Sequence, residues 1–195
     1  MNRTIKSKIK YILALIVLMI IGILTILKLY SLGLILFIPL IPIVFFIPGR
    51  IQGHYYRDMF KARRLLGEKK FKESIEYNNK FLSDTRSHSW KKKLIWLSWG
   101  MYTKDIEAMT LNNIGTAYLH LGDYDTAKGY FKDSITLDSF YPIPYYNLGV
   151  IAIIKNDKET AENFYKKSVE LGFNQTSFDK VIQIGQQILA NIEGR

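Results

Sequence analysis

The 195 residues include no cysteine, so disulfides, a thiolate zinc site, a thiol nucleophile and a lipidated cysteine are all excluded. Histidine is nearly as scarce. His54, His88 and His120 are far apart in sequence, and none has the spacing of a metal ligand. The chain also lacks HExxH, GxSxG, GxxxxGK[ST] and GxGxxG, the local signatures of zinc hydrolases, serine hydrolases and phosphate-binding loops. Its carboxylates fall at helix starts and on polar helix faces. These absences argue against an enzyme, and no cofactor or metal is expected. Acidic residues are missing from the first 49 positions, whose only charges are Arg3, Lys6, Lys8, Lys10 and Lys28.

That missing charge exposes two long apolar runs. Seventeen uncharged residues separate Lys10 from Lys28, and 21 separate Lys28 from Arg50. Both lengths fall in the range of about 17 to 25 residues that carries a helix across a bilayer. The sequence therefore predicts a membrane anchor over 1–49, with spans at about 11–27 and 31–47 joined by a turn around Lys28 to Gly33. A signal peptide is disfavoured, because its apolar run is usually about 7 to 15 residues and a small-residue cleavage site follows it. Pro39, Pro42 and Pro48 bend the second run, which leaves a re-entrant or interfacial segment as the alternative there. Basic residues flank both outer ends, so the positive-inside rule expects a multi-pass cell-membrane protein with both termini cytoplasmic.

The formal charge of +10 is unevenly divided: +5 over 1–49, +8 over 50–93 and −3 over 94–195. Residues 50–93 form a basic juxtamembrane hairpin. Its Arg57, Lys61, Arg63, Arg64, Lys69, Lys70 and Lys72 are expected to face anionic lipid, each contributing about 1 kcal/mol near the surface. Nucleic acid could use the same charge, but no nucleic-acid motif accompanies it. All three tryptophans lie between Trp90 and Tyr102, where an insertion over 94–107 breaks the surrounding pattern. Tryptophan favours the bilayer interface. The favoured reading is that these rings pack onto the first hairpin, as large aromatics in helical domains mostly do.

Downstream, Leu111-x-x-Ile114-Gly115-x-x-Tyr118 and Ala127-x-x-x-Phe131-x-x-Ser134 return 34 residues later. The second copy is Tyr145-x-x-Leu148-Gly149-x-x-Ala152 and Ala161-x-x-x-Tyr165-x-x-Ser168. Asn113 and Asn147, and Asp123 and Asp157, keep the same step. Apolar periodicity predicts four helices, Ala108 to Leu121, Tyr124 to Leu137, Pro142 to Lys155 and Lys158 to Leu171. Gly122-Asp123 and Asn156-Asp157 mark the turns, the aspartates as N-caps. Pro142 and Pro144 suit a helix start. Leu65-Leu66-Gly67 followed by Ser74, Asn78 and Phe81 suggests a degenerate hairpin whose turn is two residues longer. Val181, Ile184, Gly185 and Ile188 suggest a final helix whose outer Gln183, Gln186 and Gln187 suit a cap.

This spacing resembles the tetratricopeptide repeat. The resemblance implies an all-α stack: repeats at 108–141 and 142–175, a capping helix at 176–195, and a doubtful repeat within 50–93. It also implies an adaptor that binds a protein, peptide or helix along a groove lined by Asn112, Asn113, Thr116, His120, Tyr146, Asn147, Val150 and Ile154. Of the chaperone-binding clamp only Asn113 is kept. Met59, Arg63, Ile143 and Asn147 stand where lysine, asparagine, lysine and arginine would be needed. The alternative functions are an accessory subunit in contact through the membrane hairpin, and a basic module that binds anionic lipid or nucleic acid.

Overall fold

The computed structural model describes residues 3–28, 40–98, 101–174 and 176–194, and within them every regular element is helical. In chain order these are α1 (Arg3–Lys28), α2 (Leu40–Tyr55), α3 (Arg57–Gly67), α4 (Phe71–Ser87), a three-ten helix (Ser89–Leu97), α5 (Ile106–Leu121), α6 (Tyr124–Leu137), α7 (Pro142–Ile154), α8 (Lys158–Glu170) and α9 (Phe178–Glu193). The pairs α3/α4, α5/α6 and α7/α8 are hairpins. They stack because the second helix of one packs on the first helix of the next, α4 on α5 and α6 on α7.

The expected caps are made by side chains. The carboxylates of Asp123 and Asp157 accept from the amides of Thr126 at 3.1 Å and Thr160 at 3.0 Å. Asp105 does the same for α5, accepting from Glu107 at 2.8 Å and Ala108 at 3.0 Å. Helix α5 therefore starts at Ile106, earlier than periodicity alone placed it.

Small residues set the distance between the two helices of each hairpin. A Cβ on Gly115 would sit 2.7 Å from the Phe131 ring, and one on Gly149 would sit 3.2 Å from the carbonyl oxygen of Ala161. Gly115 and Ala127 are twelve residues apart, as are Gly149 and Ala161; Ala62 and Ser74 repeat that interval in α3/α4. There the Ser74 hydroxyl donates to the Ala62 carbonyl at 2.8 Å. Five residues before the small residue on the second helix of each hairpin (Ser74, Ala127, Ala161) the backbone is left-handed: φ is 60° at Lys69, 88° at Gly122 and 59° at Asn156. The first turn is thus in step with the others, not two residues longer. Matching Gly67 to Gly122 misplaces it, because Lys69 takes the left-handed position at a cost of about 1–2 kcal/mol.

The three-ten helix is wedged beside the first hairpin by aliphatic groups. Ile95 is fully buried with Tyr56, Met59, Phe81, Ile106 and Met109, whereas Trp90 and Trp96 are 47% and 65% exposed. The expected packing of tryptophan rings onto the hairpin is therefore corrected for these two. With three residues per turn, Trp90, Lys93 and Trp96 share one face, and Lys92, Ile95 and Ser98 share the inward one. Trp99 lies outside the described residues.

No described element packs extensively against α1. Its Ile12, Leu13, Ile16, Val17, Leu18, Met19, Ile20, Ile21, Ile23 and Leu24 are all 40–60% exposed. Even so, among the described residues no helix is long and apolar enough to cross a membrane. The second expected span, 31–47, lies mostly outside the described residues, and its described part does not support a crossing. Residues 31–39 are outside the described set, and α2 begins at Leu40 and continues past Arg50 to Tyr55. At 16 residues α2 is about 24 Å long, against an apolar core of about 30 Å.

Candidate functional site

The inner helices of the two central hairpins, α5 and α7, bring the expected groove residues side by side. Asn147 donates its side-chain amide to the Asn112 oxygen at 2.9 Å and to the Thr116 hydroxyl at 3.4 Å. Thr116 in turn donates to the Asn112 backbone carbonyl at 2.8 Å. These three side chains thus form a ladder joining one repeat to the next. One turn of α5 away from Thr116, the side-chain amide nitrogen of Asn113 is buried with no hydrogen-bond partner. An unmet buried donor costs about 1–3 kcal/mol.

The remaining groove positions are covered by this chain itself. Tyr146 is buried, its ring meeting the edge of Phe173 at 5.1 Å, and Phe173 meets Tyr102 at 5.6 Å. Burial pushes the Tyr146 phenol above its ordinary pKa. Val150 is buried and Ile154 partly so, in one cluster with Val181 and Ile188 of α9. His120 stacks on Phe71 with centroids 5.1 Å apart and planes 4° from parallel.

Helix α9, expected as a final helix over 176–195 that caps the stack, does not take the place of a next inner helix. It packs chiefly on α7 and only slightly on α8, the reverse of how α5 sits on α4 and α7 sits on α6. It therefore does not extend the stack as the next helix would. Gly185 permits this, since a Cβ there would lie 2.7 Å from Ile153 Cγ2 and 3.4 Å from the Val150 carbonyl. Farther along, Ile192 lies against Gly122, where an added Cβ would be 3.2 Å from it. A cavity of about 270 Å³ remains between Ile188 and Asn191 of α9, His120 of α5, and Leu66, Gly67, Lys69 and Phe71 of the first turn. The helix thus runs from α7 across the end of α5 toward the first hairpin. Gln183, Gln186 and Gln187 do face solvent, as a cap requires. What redirects it is the segment before it: Gly172 is left-handed at φ 108°, and the Tyr165 hydroxyl donates to the Thr176 carbonyl at 2.9 Å. No period of hydrophobicity encodes that reversal.

The basic residues of the first hairpin are spread along it. Arg57 is exposed beside Asp58 at 4.0 Å, and Arg64 and Lys70 reach Glu68 at 3.5 and 3.1 Å. Lys61 lies 4.0 Å from the Tyr77 ring centroid, while Arg63 and Lys72 are exposed. The 11 residues of α3 put about 16 Å between Arg57 and the Lys69–Lys70 turn. Glu107, a buried carboxylate the sequence did not flag, is paired with Lys92 and with Arg86 at 3.3 Å. It ties the three-ten helix to α5. Among the described residues no group of histidine, aspartate and glutamate is placed to hold a metal ion.

No curated protein matches the chain significantly. The central hairpins, however, are tetratricopeptide repeats: residues 110–141 and 144–172 match that family.

Proposed function

We propose that this chain is a membrane-attached adaptor, held at the bilayer by α1 and the apolar start of α2, with its repeats taking a protein partner on the cytoplasmic side. Tetratricopeptide repeats generally bind proteins and are typically non-catalytic scaffolds. The observation that carries the binding part is Asn113, an unpaired amide donor on the inner helix beside the Asn112–Thr116–Asn147 ladder. A peptide whose docking shifts the side chains that bury this atom would supply the backbone carbonyl the donor lacks. Because α9 meets α7 from Gly149 onward and α5 at its end, the partner is expected along the amide-bearing part of the face. The attachment part is supported by α1, whose apolar side chains face outward all round, a pattern found in helices covered by lipid or by other protein. The basic flank after α2 favours the cytoplasmic side for the repeats.

Asn113→Ala tests the groove. The substitution removes an unsatisfied donor, so the melting temperature should hold or rise slightly while partner capture from native membranes falls at least tenfold. Undiminished capture would sink the groove reading. Tyr146 is unsuitable for this purpose because it belongs to the core. Attachment is tested by flotation of the full chain with vesicles, and orientation by a reporter fused after Arg195, whose activity only on the outer face would overturn it. A second reading makes the chain a subunit of a membrane complex, its contacts made by the exposed surface of α1. Capture that depends on residues 1–28 and ignores Asn113 would favour that reading.

A further inference from the structure

The three-ten helix Ser89–Leu97 presents a stripe that its own packing covers only in part: Tyr55 and Lys91 lie against Trp90, and Lys104 lies 5.4 Å from the Trp96 ring centroid. Trp90, Lys93 and Trp96 recur at the three-residue period of that helix, and all three are exposed. Two indole rings left this open are costly in water, yet the opposite face is firmly held. Ile95 is fully buried, Lys92 pairs with Glu107, and Lys91 donates to both Asp84 oxygens at 2.7 and 2.6 Å. The stripe is therefore fixed in direction.

Its position relative to α2 gives it a partner. Gln52 of α2 donates to the Leu94 carbonyl at 2.6 Å and to the Ser98 hydroxyl at 2.7 Å, bracketing Trp96. Tyr55, the last residue of α2, meets Trp90 edge-on at 4.9 Å. The apolar sequence that opens α2 ends at Pro48, so Gln52 and Tyr55 follow it by about 6 and 10 Å along the helix axis. With that apolar stretch in the hydrocarbon, Gln52 falls within the polar layer of a bilayer, about 5–8 Å on each side, and Tyr55 just beyond it. Tryptophan favours that layer, because its ring is apolar and its N–H needs a hydrogen-bond partner. Exposed Arg50 and Lys93 add positive charge beside it, inside the +8 region that suits anionic headgroups. The Lys69–Lys70 turn lies at the other end of α3.

We propose that Trp90, Lys93 and Trp96 form an interfacial lipid-binding stripe that seats the repeat stack against an anionic membrane surface and fixes its tilt. This rests on the membrane-attachment reading above. The lipid contact is made by the tryptophan-bearing three-ten helix.

The test uses the full chain with two tryptophans replaced by phenylalanine, leaving only Trp96 (W90F/W99F) or only Trp90 (W96F/W99F). Each is mixed with vesicles containing anionic phospholipid, with or without bromine near the top of the acyl chains. Bromolipid should quench each remaining tryptophan at least twofold, and vesicles should cut its quenching by aqueous iodide by a similar factor. Trp90 and Trp96 that stay open to iodide and unaffected by bromolipid, in protein that does float with the vesicles, would overturn the stripe and leave the attachment standing. Such a result would point to a protein as the partner of these rings. Protein that fails to float would overturn both.

Discussion

Helices α1 and α7 are both rich in isoleucine and leucine and neither has a polar face, yet their surroundings are opposite. In α7, Tyr146, Leu148, Gly149, Val150, Ile151 and Ala152 are buried against α6, α8 and α9. In α1 the same residue types stand open and no described element covers them. The difference lies in the neighbours. The α7 sequence has Gly149 where a partner helix must approach and Asp157 where the next helix must be capped. In α1, Gly22 has nothing within 4 Å of the site of a Cβ, so no helix among the described residues uses it for a close approach. Apolar content calls for burial, and the small residues and caps around it decide whether this chain supplies the cover.

A charge placed in each helix gives the largest effect and breaks the comparison most directly. Ile151→Arg buries an unpaired cation in the core and should cost about 3–5 kcal/mol, enough to abolish a cooperative melt of the repeats by circular dichroism. Leu18→Arg should leave that melt unchanged. Its effect should appear in partitioning, since about 3 kcal/mol for arginine in an apolar layer lowers the vesicle-bound fraction about a hundredfold. A lower melting temperature for Leu18→Arg would mean that α1 packs on the stack after all.

Within the buried group, α9 is the helix whose position the sequence did not encode, and its attachment should be weaker. Gly185→Val pushes a branched side chain against Ile153 and should cost about 1–3 kcal/mol. The loss should be local. Amide exchange in Val181–Ile192 should quicken while α5 to α8 keep their protection. Equal loss in all five helices would show that α9 is an integral part of the stack.

What was legible in the chain follows the same division. The two repeats, their caps and the tight A–B crossings could be read because each depends on residues close in sequence: Asp123 on Thr126, Gly115 on Ala127. The groove residues are neighbours for the same reason, and the 34-residue step brought Asn112 and Asn147 within hydrogen-bond reach. The course of α9 was not legible, because it depends on Gly172, Phe173 and Thr176 redirecting the chain and on Gly185 meeting Ile153, contacts with no local period. The exposure of Trp90 and Trp96 was missed because it follows from a three-ten period, which a search for α-helical spacing overlooks. The left-handed Lys69 was hidden behind Gly67, a residue better suited to that conformation.

The smallest expected effect concerns how the tryptophan-bearing segment is pinned to the stack. The Lys91 hydrogen bond holds the Asp84 carboxyl below its ordinary pKa against the opposing effect of burial, helped by the Lys91 charge and, less, by His88. A carboxylate depressed in the folded state stabilises the fold above its unfolded pKa of about 3.9, and that contribution disappears as pH falls through the lower folded value. Asp84→Asn should therefore lower the melting temperature slightly at pH 6, and the gap to the parent should close as pH falls below the ordinary carboxylate range. Asp84 is partly open to solvent and its pairs are screened, so the gap should also shrink in 1 M salt. A gap that persists at low pH would mean that the asparagine perturbs α4 itself. A gap that follows the titration and the salt would show that the three-ten helix, unlike α1, is held by this chain's own charges.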